Sequence, residues 1–167
     1  MCIRDSLETS IVTWIQNYVN ENKIKSLVVG VSGGIDSAVV ATLCAETGIP
    51  TYVLSMPLHS KVDSDRLSND YCKALEEKYD NVTRVRVELS GVYEKFHQSL
   101  NWWTESKTYT TNELANANTK SRLRMVTLYQ IAGTVDGIVV GTGNKVCLLY
   151  TSPSPRDQRG SRMPSSA

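Results

Sequence analysis

The stretch Leu27-Val28-Val29-Gly30-Val31-Ser32-Gly33-Gly34-Ile35-Asp36-Ser37-Ala38-Val39-Val40 restricts the fold more than any other part of the chain. Leu27 to Val31 is apolar without polar alternation, which predicts a strand buried on both faces. Adjacent glycines then permit a tight turn. Asp36 and Ser37 stand where a helix N-cap is expected, and Ala38 to Cys44 has helical composition. A strand, a glycine turn and a helix N-terminus together make an anion site. Backbone N–H groups converge there, and glycine lets an anion approach the main chain.

The remaining chain repeats this alternation. Leu7, Ile11, Trp14, Ile15 and Tyr18 fall at helical spacing and predict an amphipathic helix over 7–20. Strands are expected over 24–31 and 51–56, with a helix over 36–47 between them, stopped by Gly48 and Pro50. Leu67, Tyr71 and Leu75 predict a helix over 63–78, and Val82, Val85, Val87 and Leu89 a third strand. A helix over 92–103, a polar loop over 104–111, a helix over 113–133 and a strand over 138–141 complete the series. Strands separated by helices imply an α/β fold: a doubly wound parallel sheet with right-handed crossovers and helices on both faces. Such sheets bind ligands at the carboxyl ends of their strands, where the strand order switches. With the first strand between the second and fourth, Ser32-Gly33-Gly34, Met56-Pro57 and Gly141-Thr142-Gly143 would converge. A nucleotide base would then lie near Met56, with phosphates on the 32–37 loop.

A length of 167 residues fits one domain with a real core. The net charge of +1 argues against a nucleic-acid partner, and no apolar run approaches the ~18 residues of a membrane span. Cys2, Cys44, Cys72 and Cys147 lack metal spacing. Cys44 and Cys72 sit in apolar helical patterns and are expected to be reduced core thiols, as in a cytoplasmic protein. The two ends differ from the middle. Residues 151–167 contain five Ser, three Pro and three Arg without Val, Ile or Leu, a composition that cannot order itself by apolar burial. Residues 1–6 and 147–167 resemble translated adapter sequence. The expected division is a foreign-looking leader over 1–6, a domain cut short at its C-terminus over 7–146, and a disordered tail over 147–167.

Ser32-Gly33-Gly34-Ile35-Asp36-Ser37 resembles the pyrophosphate loop of the ATP pyrophosphatases, which split ATP between its α and β phosphates. No Gly-Lys-Ser/Thr follows it, so it is not a Walker loop, and it lacks the G-x-G-x-x-G spacing. An ordinary glycine turn is the alternative, against which the preceding strand, the glycines, the Asp-Ser pair and the following helix coincide. A second informative stretch is Asn118-x-Lys120-x-Arg122-x-Arg124-Met125, followed by Tyr129, Ile131-Ala132-Gly133 and Val139-Val140-Gly141-Thr142. Its cations taken alone read as solvated surface charge, and only the continuing pattern around them gives a ligand-binding reading weight. At 100° per residue Arg122 and Arg124 diverge by about 200°, so one faces the ligand edge and the other solvent or a neighbouring chain.

Together with Lys25 to Gly34, this stretch is similar to NAD synthetase over about residues 7–146. The resemblance implies a ligase that amidates deamido-NAD to NAD. ATP adenylates the nicotinate carboxylate and releases pyrophosphate, and ammonia displaces AMP. By the same resemblance, Gly30, Val31, Ser32, Gly33, Gly34, Ile35, Asp36, Ser37 and Thr142 bind ATP, Arg122 binds deamido-NAD, and Asp36 holds Mg²⁺. Asp36 is a hard oxygen donor suited to Mg²⁺, and a helix N-cap is its other reading. No covalent catalytic residue is implied. His59 and His97 read as a loop and a helix-face residue, and Trp102-Trp103 as packing. A homodimer is implied, with the helices over 7–18 and 113–133 as interface elements. The family pattern has a glutamate five residues beyond the threonine, joining the aspartate on Mg²⁺; here that position is Cys147. The expectation is that this chain by itself is inactive. Alternatives are another ATP pyrophosphatase (a GMP synthetase-like ATP domain or a tRNA-thiolation enzyme) and a non-catalytic nucleotide-binding module. The first is disfavoured by the 118–125 stretch and the near-neutral charge.

Overall fold

The computed structural model describes residues 3–59, 62–100 and 113–143. Four strands, β1 (Ser26–Val31), β2 (Thr51–Ser55), β3 (Val82–Arg86) and β4 (Gly137–Val140), form one parallel sheet in the order β3-β2-β1-β4. The first strand is therefore central, between the second and fourth, which meets the condition for the three strand ends to converge. The helices are α1 (Ile3–Glu21), α2 (Ile35–Glu46), α3 (Val62–Lys78), α4 (Ser90–Ser99) and α5 (Glu113–Thr134).

Strand alternation divides the core. Leu27, Val29 and Val31 of β1 face a cluster with Ala41, Cys44 and Ala45 of α2, Cys72 and Leu75 of α3, and Val19 of α1. On the other face Val28 meets Leu54, Met56, Leu58, Leu89 and Ala132, with Tyr93 of α4 and Leu123, Leu128 and Ile131 of α5 around them. Helices thus cover both faces, and Val28 and Val29 are each 0% exposed. Complete burial of one such side chain contributes roughly 1.5–3 kcal/mol, which explains why β1 shows no polar alternation.

Several expected boundaries move, for identifiable reasons. Helix α1 starts at Ile3, inside the stretch expected to be a separate leader. Only part of its apolar stripe is buried: Ile15 and Val19 reach the core, while Leu7, Trp14 and Tyr18 are exposed. The helix packs chiefly on α2 rather than across the sheet, so it needs a narrow apolar seam. Trp14 and Tyr18 stack on each other, ring centroids 5.8 Å apart. Strand β3 ends at Arg86, short of Val87 and Leu89. Those two lead into α4, with Leu89 its N-cap, and donate from N–H to the carbonyls of Ser55 and Pro57, each at 3.0 Å. The described part of α4 ends at Ser99; Trp102, Trp103 and the 104–111 loop lie outside the described residues. After α2 the chain turns at Gly48, φ +72°, the left-handed conformation usual just beyond a helix end. Asn81, which leads into β3, fastens this turn by donating from Nδ2 to the carbonyls of Ala45 (2.9 Å) and Ile49 (2.8 Å).

Candidate active site at the carboxyl edge of the sheet

Parallel strands bring the ends of β1, β2 and β4 to one edge, and the chain order reverses between β1 and β4. Open α/β sheets hold ligands at such a crevice. A cavity of about 430 Å³ lies there. Gly30, Val31 and Ser32 form its floor, Met56 and Pro57 one wall, and Val139 and Thr142 line it from β4 and just beyond. The three strand ends expected from the sequence therefore meet in one cavity.

The Ser32–Ser37 loop is held by its own serines. Ser37 is buried, and its Oγ accepts the Ser32 N–H (3.1 Å) and donates to the Gly34 carbonyl (2.9 Å). Ser32 Oγ lies 3.1 Å from Ser37 Oγ and accepts the Gly34 N–H at 3.3 Å. This corrects the expected capping. The N-cap of α2 is Gly34, in extended conformation with no side-chain cap bond, and Asp36 and Ser37 lie inside the first turn. Ser37 cannot also cap the helix, because its hydroxyl closes the loop. The N–H groups of Ser32 and Gly34 serve serine oxygens, and the next backbone donors along the chain are those of the first turn of α2, at Ile35, Asp36 and Ser37. No intrahelical carbonyl reaches those groups, and the helix dipole places partial positive charge there.

Helix α3 buttresses the loop, a contribution that the sequence did not reveal. Gly33 has φ +85°, and a Cβ there would come within 2.7 Å of the Ser64 carbonyl oxygen. Ser68 Oγ donates to the Val31 carbonyl at 2.7 Å, tying α3 to the end of β1. Ser64, Asp65 and Ser68 also line the cavity. The signal for this was present in the sequence, since Ser64 and Ser68 are one helical turn apart on α3. Asp65 is engaged by Arg86, which donates from both terminal nitrogens at 3.0 and 3.1 Å. That bond to Asp65 raises the Arg86 pKa above its ordinary value.

The three cations of the 118–125 stretch separate. Lys120 Nζ lies over the Tyr93 ring, 5.2 Å from its centroid. Arg122 is exposed, with a long 3.5 Å contact from Nη1 to the Asn118 carbonyl, and does not line the cavity. Arg124 does line it and is half-buried, and its Nε donates to the Met56 carbonyl at 3.2 Å. Burial lowers the Arg124 pKa below the usual guanidinium value. The expected divergence holds, with Arg124 at the ligand edge and Arg122 outside it. Ser121, Met125 and Leu128 share the cavity side of α5 with Arg124.

Asp36 is exposed at the mouth of the loop. Among the described residues no three His, Cys, Asp or Glu side chains cluster as a metal site. His59 sits in the loop after β2, with Nε2 3.6 Å from Glu94, and His97 packs on Tyr93; neither lines the cavity. Cys44 and Cys72 are buried free thiols. No helix among the described residues is long and apolar enough to cross a membrane.

Residues 7–150 match the NAD synthase family. The chain is similar to the NH3-dependent NAD⁺ synthetase of Alkaliphilus metalliredigens, 36% identical over 137 residues that cover 80% of this chain and 54% of the relative. Among solved structures it is similar to NMN synthetase from Francisella tularensis, with a TM-score of 0.72 and 30% identity over 86% of this chain and 56% of that one. It is likewise similar to the NH3-dependent NAD synthetase from Campylobacter jejuni, with a TM-score of 0.72 and 26% identity over 89% of this chain and 60% of the other. The chain spans about half the length of the curated relatives it matches. A family match running from α1 past β4, on a sheet shared with those solved enzymes, means that the chain belongs to the NAD synthase family.

Proposed function

We propose that this chain carries the ATP-binding part of an ammonia-dependent NAD synthetase. The observation that carries the reading is the cavity between the Ser32–Ser37 loop, Met56 and Thr142, in a chain of this family. In this reading Gly30 to Ser37 and Thr142 bind ATP, and the phosphates rest on the first-turn N–H groups of α2. The adenine lies against Met56 and Pro57. The nicotinate carboxylate of deamido-NAD attacks the α-phosphorus, pyrophosphate leaves, and ammonia displaces AMP from the mixed anhydride. Preorganised N–H donors favour such a step by stabilising charge on the leaving group without covalent catalysis.

Asp36 suits Mg²⁺ chemically, because Mg²⁺ is commonly held by one or two carboxylates plus substrate phosphates and water. A single loop carboxylate therefore fits an ion that arrives with ATP, and such an ion would neutralise the departing pyrophosphate. Exposed Arg122 is free to meet deamido-NAD outside the ATP cavity. The exposed apolar residues of α1 and α5 suit a homodimer interface. The buried reduced thiols suit a cytoplasmic setting.

The test is pyrophosphate release from ATP, measured with and without deamido-NAD, on this chain and on a family member of full length. Release that depends on deamido-NAD in the longer enzyme, with ATP binding but no turnover in this chain, is expected. Robust NAD formation by this chain alone would sink the inactivity expectation. The similarity to an NMN synthetase favours a second acceptor, the deamido mononucleotide. Substituting it for deamido-NAD in the same assay decides between them.

A further inference from the structure

Val31, Ser55 and Arg86 stand in register across β1, β2 and β3, at the carboxyl edge of the sheet. The start of α3 is tied to both ends of that row. Ser68 Oγ donates to the Val31 carbonyl at 2.7 Å, and Arg86 grips the Asp65 carboxylate with both terminal nitrogens, at 3.0 and 3.1 Å. A planar guanidinium making two such bonds holds a carboxylate in one orientation. Glu88, two residues beyond Arg86, accepts instead from the Ser90 N–H (3.0 Å) and hydroxyl (2.6 Å). Asp65 is the one carboxylate among the described residues that line the cavity. Its place has a local cause, since an acidic side chain in the first turn of α3 favours the helix dipole. A cleft focuses the field of a charge on its wall, so an unpaired carboxylate there would repel an anionic ligand.

We propose that Arg86 masks the charge of Asp65, so that the cavity admits a polyphosphate ligand. The proposal rests on the nucleotide reading of the cavity. Arg86 does not line the cavity and acts through Asp65, as a positioning residue. The side chains of Arg86 and Asp65 are 43% and 29% exposed, so the pair adds little to stability. Its effect lies in the sign of the charge that the wall presents. With the pair formed the wall is neutral, and without Arg86 it carries a carboxylate.

The experiment titrates ATP and adenosine into the purified chain by calorimetry, at ~20 mM and ~300 mM salt, for the wild type and for Arg86→Met, Arg86→Lys, Asp65→Asn and the double variant Arg86→Met/Asp65→Asn. Arg86→Met exposes the carboxylate. It should weaken ATP by about threefold to tenfold at low salt and by less at high salt, with adenosine within about twofold. Arg86→Lys should recover part of the loss, since the charge returns without the fork. Asp65→Asn breaks the same bonds but removes the negative charge, so ATP should bind as well as in wild type or better. The double variant should likewise bind ATP within about twofold of wild type. If Asp65→Asn weakens ATP as Arg86→Met does, the pair is a structural clamp and the proposal is overturned. Equal losses for ATP and adenosine, or no loss in Arg86→Met, overturn it too. If the wild type binds neither ligand, the nucleotide reading fails and takes the proposal with it. Circular dichroism melts of each variant separate lost binding from lost fold.

Discussion

Gly33 combines a positive φ with backbone contact. At φ +85°, and with the Ser64 carbonyl 2.7 Å from the position of a Cβ, any other residue strains the main chain and pushes α3 away. Gly33→Ala should lower stability by about 1–3 kcal/mol, read as a drop in Tm, and should weaken ATP binding by displacing the loop. Ser37 works through its hydroxyl, which both accepts from Ser32 N–H and donates to Gly34 C=O. Ser37→Ala takes this partner from two part-buried backbone groups and should cost about 0.5–1.5 kcal/mol in urea denaturation. The core thiols make a separate prediction. Burial pushes the Cys44 thiol up to about 12 and Cys72 up to about 11, from an ordinary 9.0. Their folded values are raised, so the folded state retains protons that the unfolded chain gives up. Their stabilising contribution is complete below pH 9.0 and is lost as the pH rises toward 11 and 12. The urea midpoint should fall through that window, and Cys44→Ala should flatten the fall. An unchanged slope in that variant would assign the pH dependence to other groups.

At the scale of elements, the glycine turn, the strand before it and the helix after it were legible in the sequence because each has its own local cause. Apolar continuity marks β1, paired glycines mark the turn, and aliphatic composition marks α2. Gly48 and Pro50 marked the end of α2 for the same kind of reason. What closes that end was not legible. Asn81, 32 residues beyond Ile49, satisfies two carbonyls of the turn. Such a partner is chosen by the packing of β3 beside β2, not by any local pattern. Asn81→Ala should therefore destabilise by about 1–3 kcal/mol, with faster amide exchange at the last turn of α2 than in wild type. Helix α5 shows the same limit differently. Met125, Val126 and Tyr129 are exposed although apolar, so apolar residues surround much of the helix and do not single out the face that meets the sheet.

At the scale of the molecule, apolar side chains remain on both outer layers. Trp14 and Tyr18 are exposed on α1, and Val126, 59% exposed, on α5. Exposed apolar patches of this kind commonly mark association surfaces. In the homodimer reading, sedimentation should report a dimer, and Val126→Asp should shift it to monomer without lowering the Tm. A monomer at all concentrations would remove α5 as the interface of this chain. Among the described residues β3 and β4 are the edge strands of the sheet, and an unpaired edge is a further site for association.

The sequence by itself determined the α/β alternation, the parallel sheet it implies, and the loop that meets the cavity; the central place of the first strand came from the packed sheet. The features read from the sequence follow from short-range periodicity, turn chemistry and the handedness of crossovers. It also fixed the angle between Arg122 and Arg124, because that angle is a property of any α-helix. Only the tertiary structure decided which of the two enters the cavity. That choice depends on the rotation of α5 about its own axis, set when Leu123, Leu128, Ile131 and Ala132 pack over Val28 and the end of β2. Tertiary packing likewise brought Ser64 and Ser68 under the loop and turned Ser37 from an expected cap into the loop's internal clasp. These are contacts between elements distant in sequence or competing uses of one hydroxyl. Local pattern names the candidates, and the packed geometry selects among them.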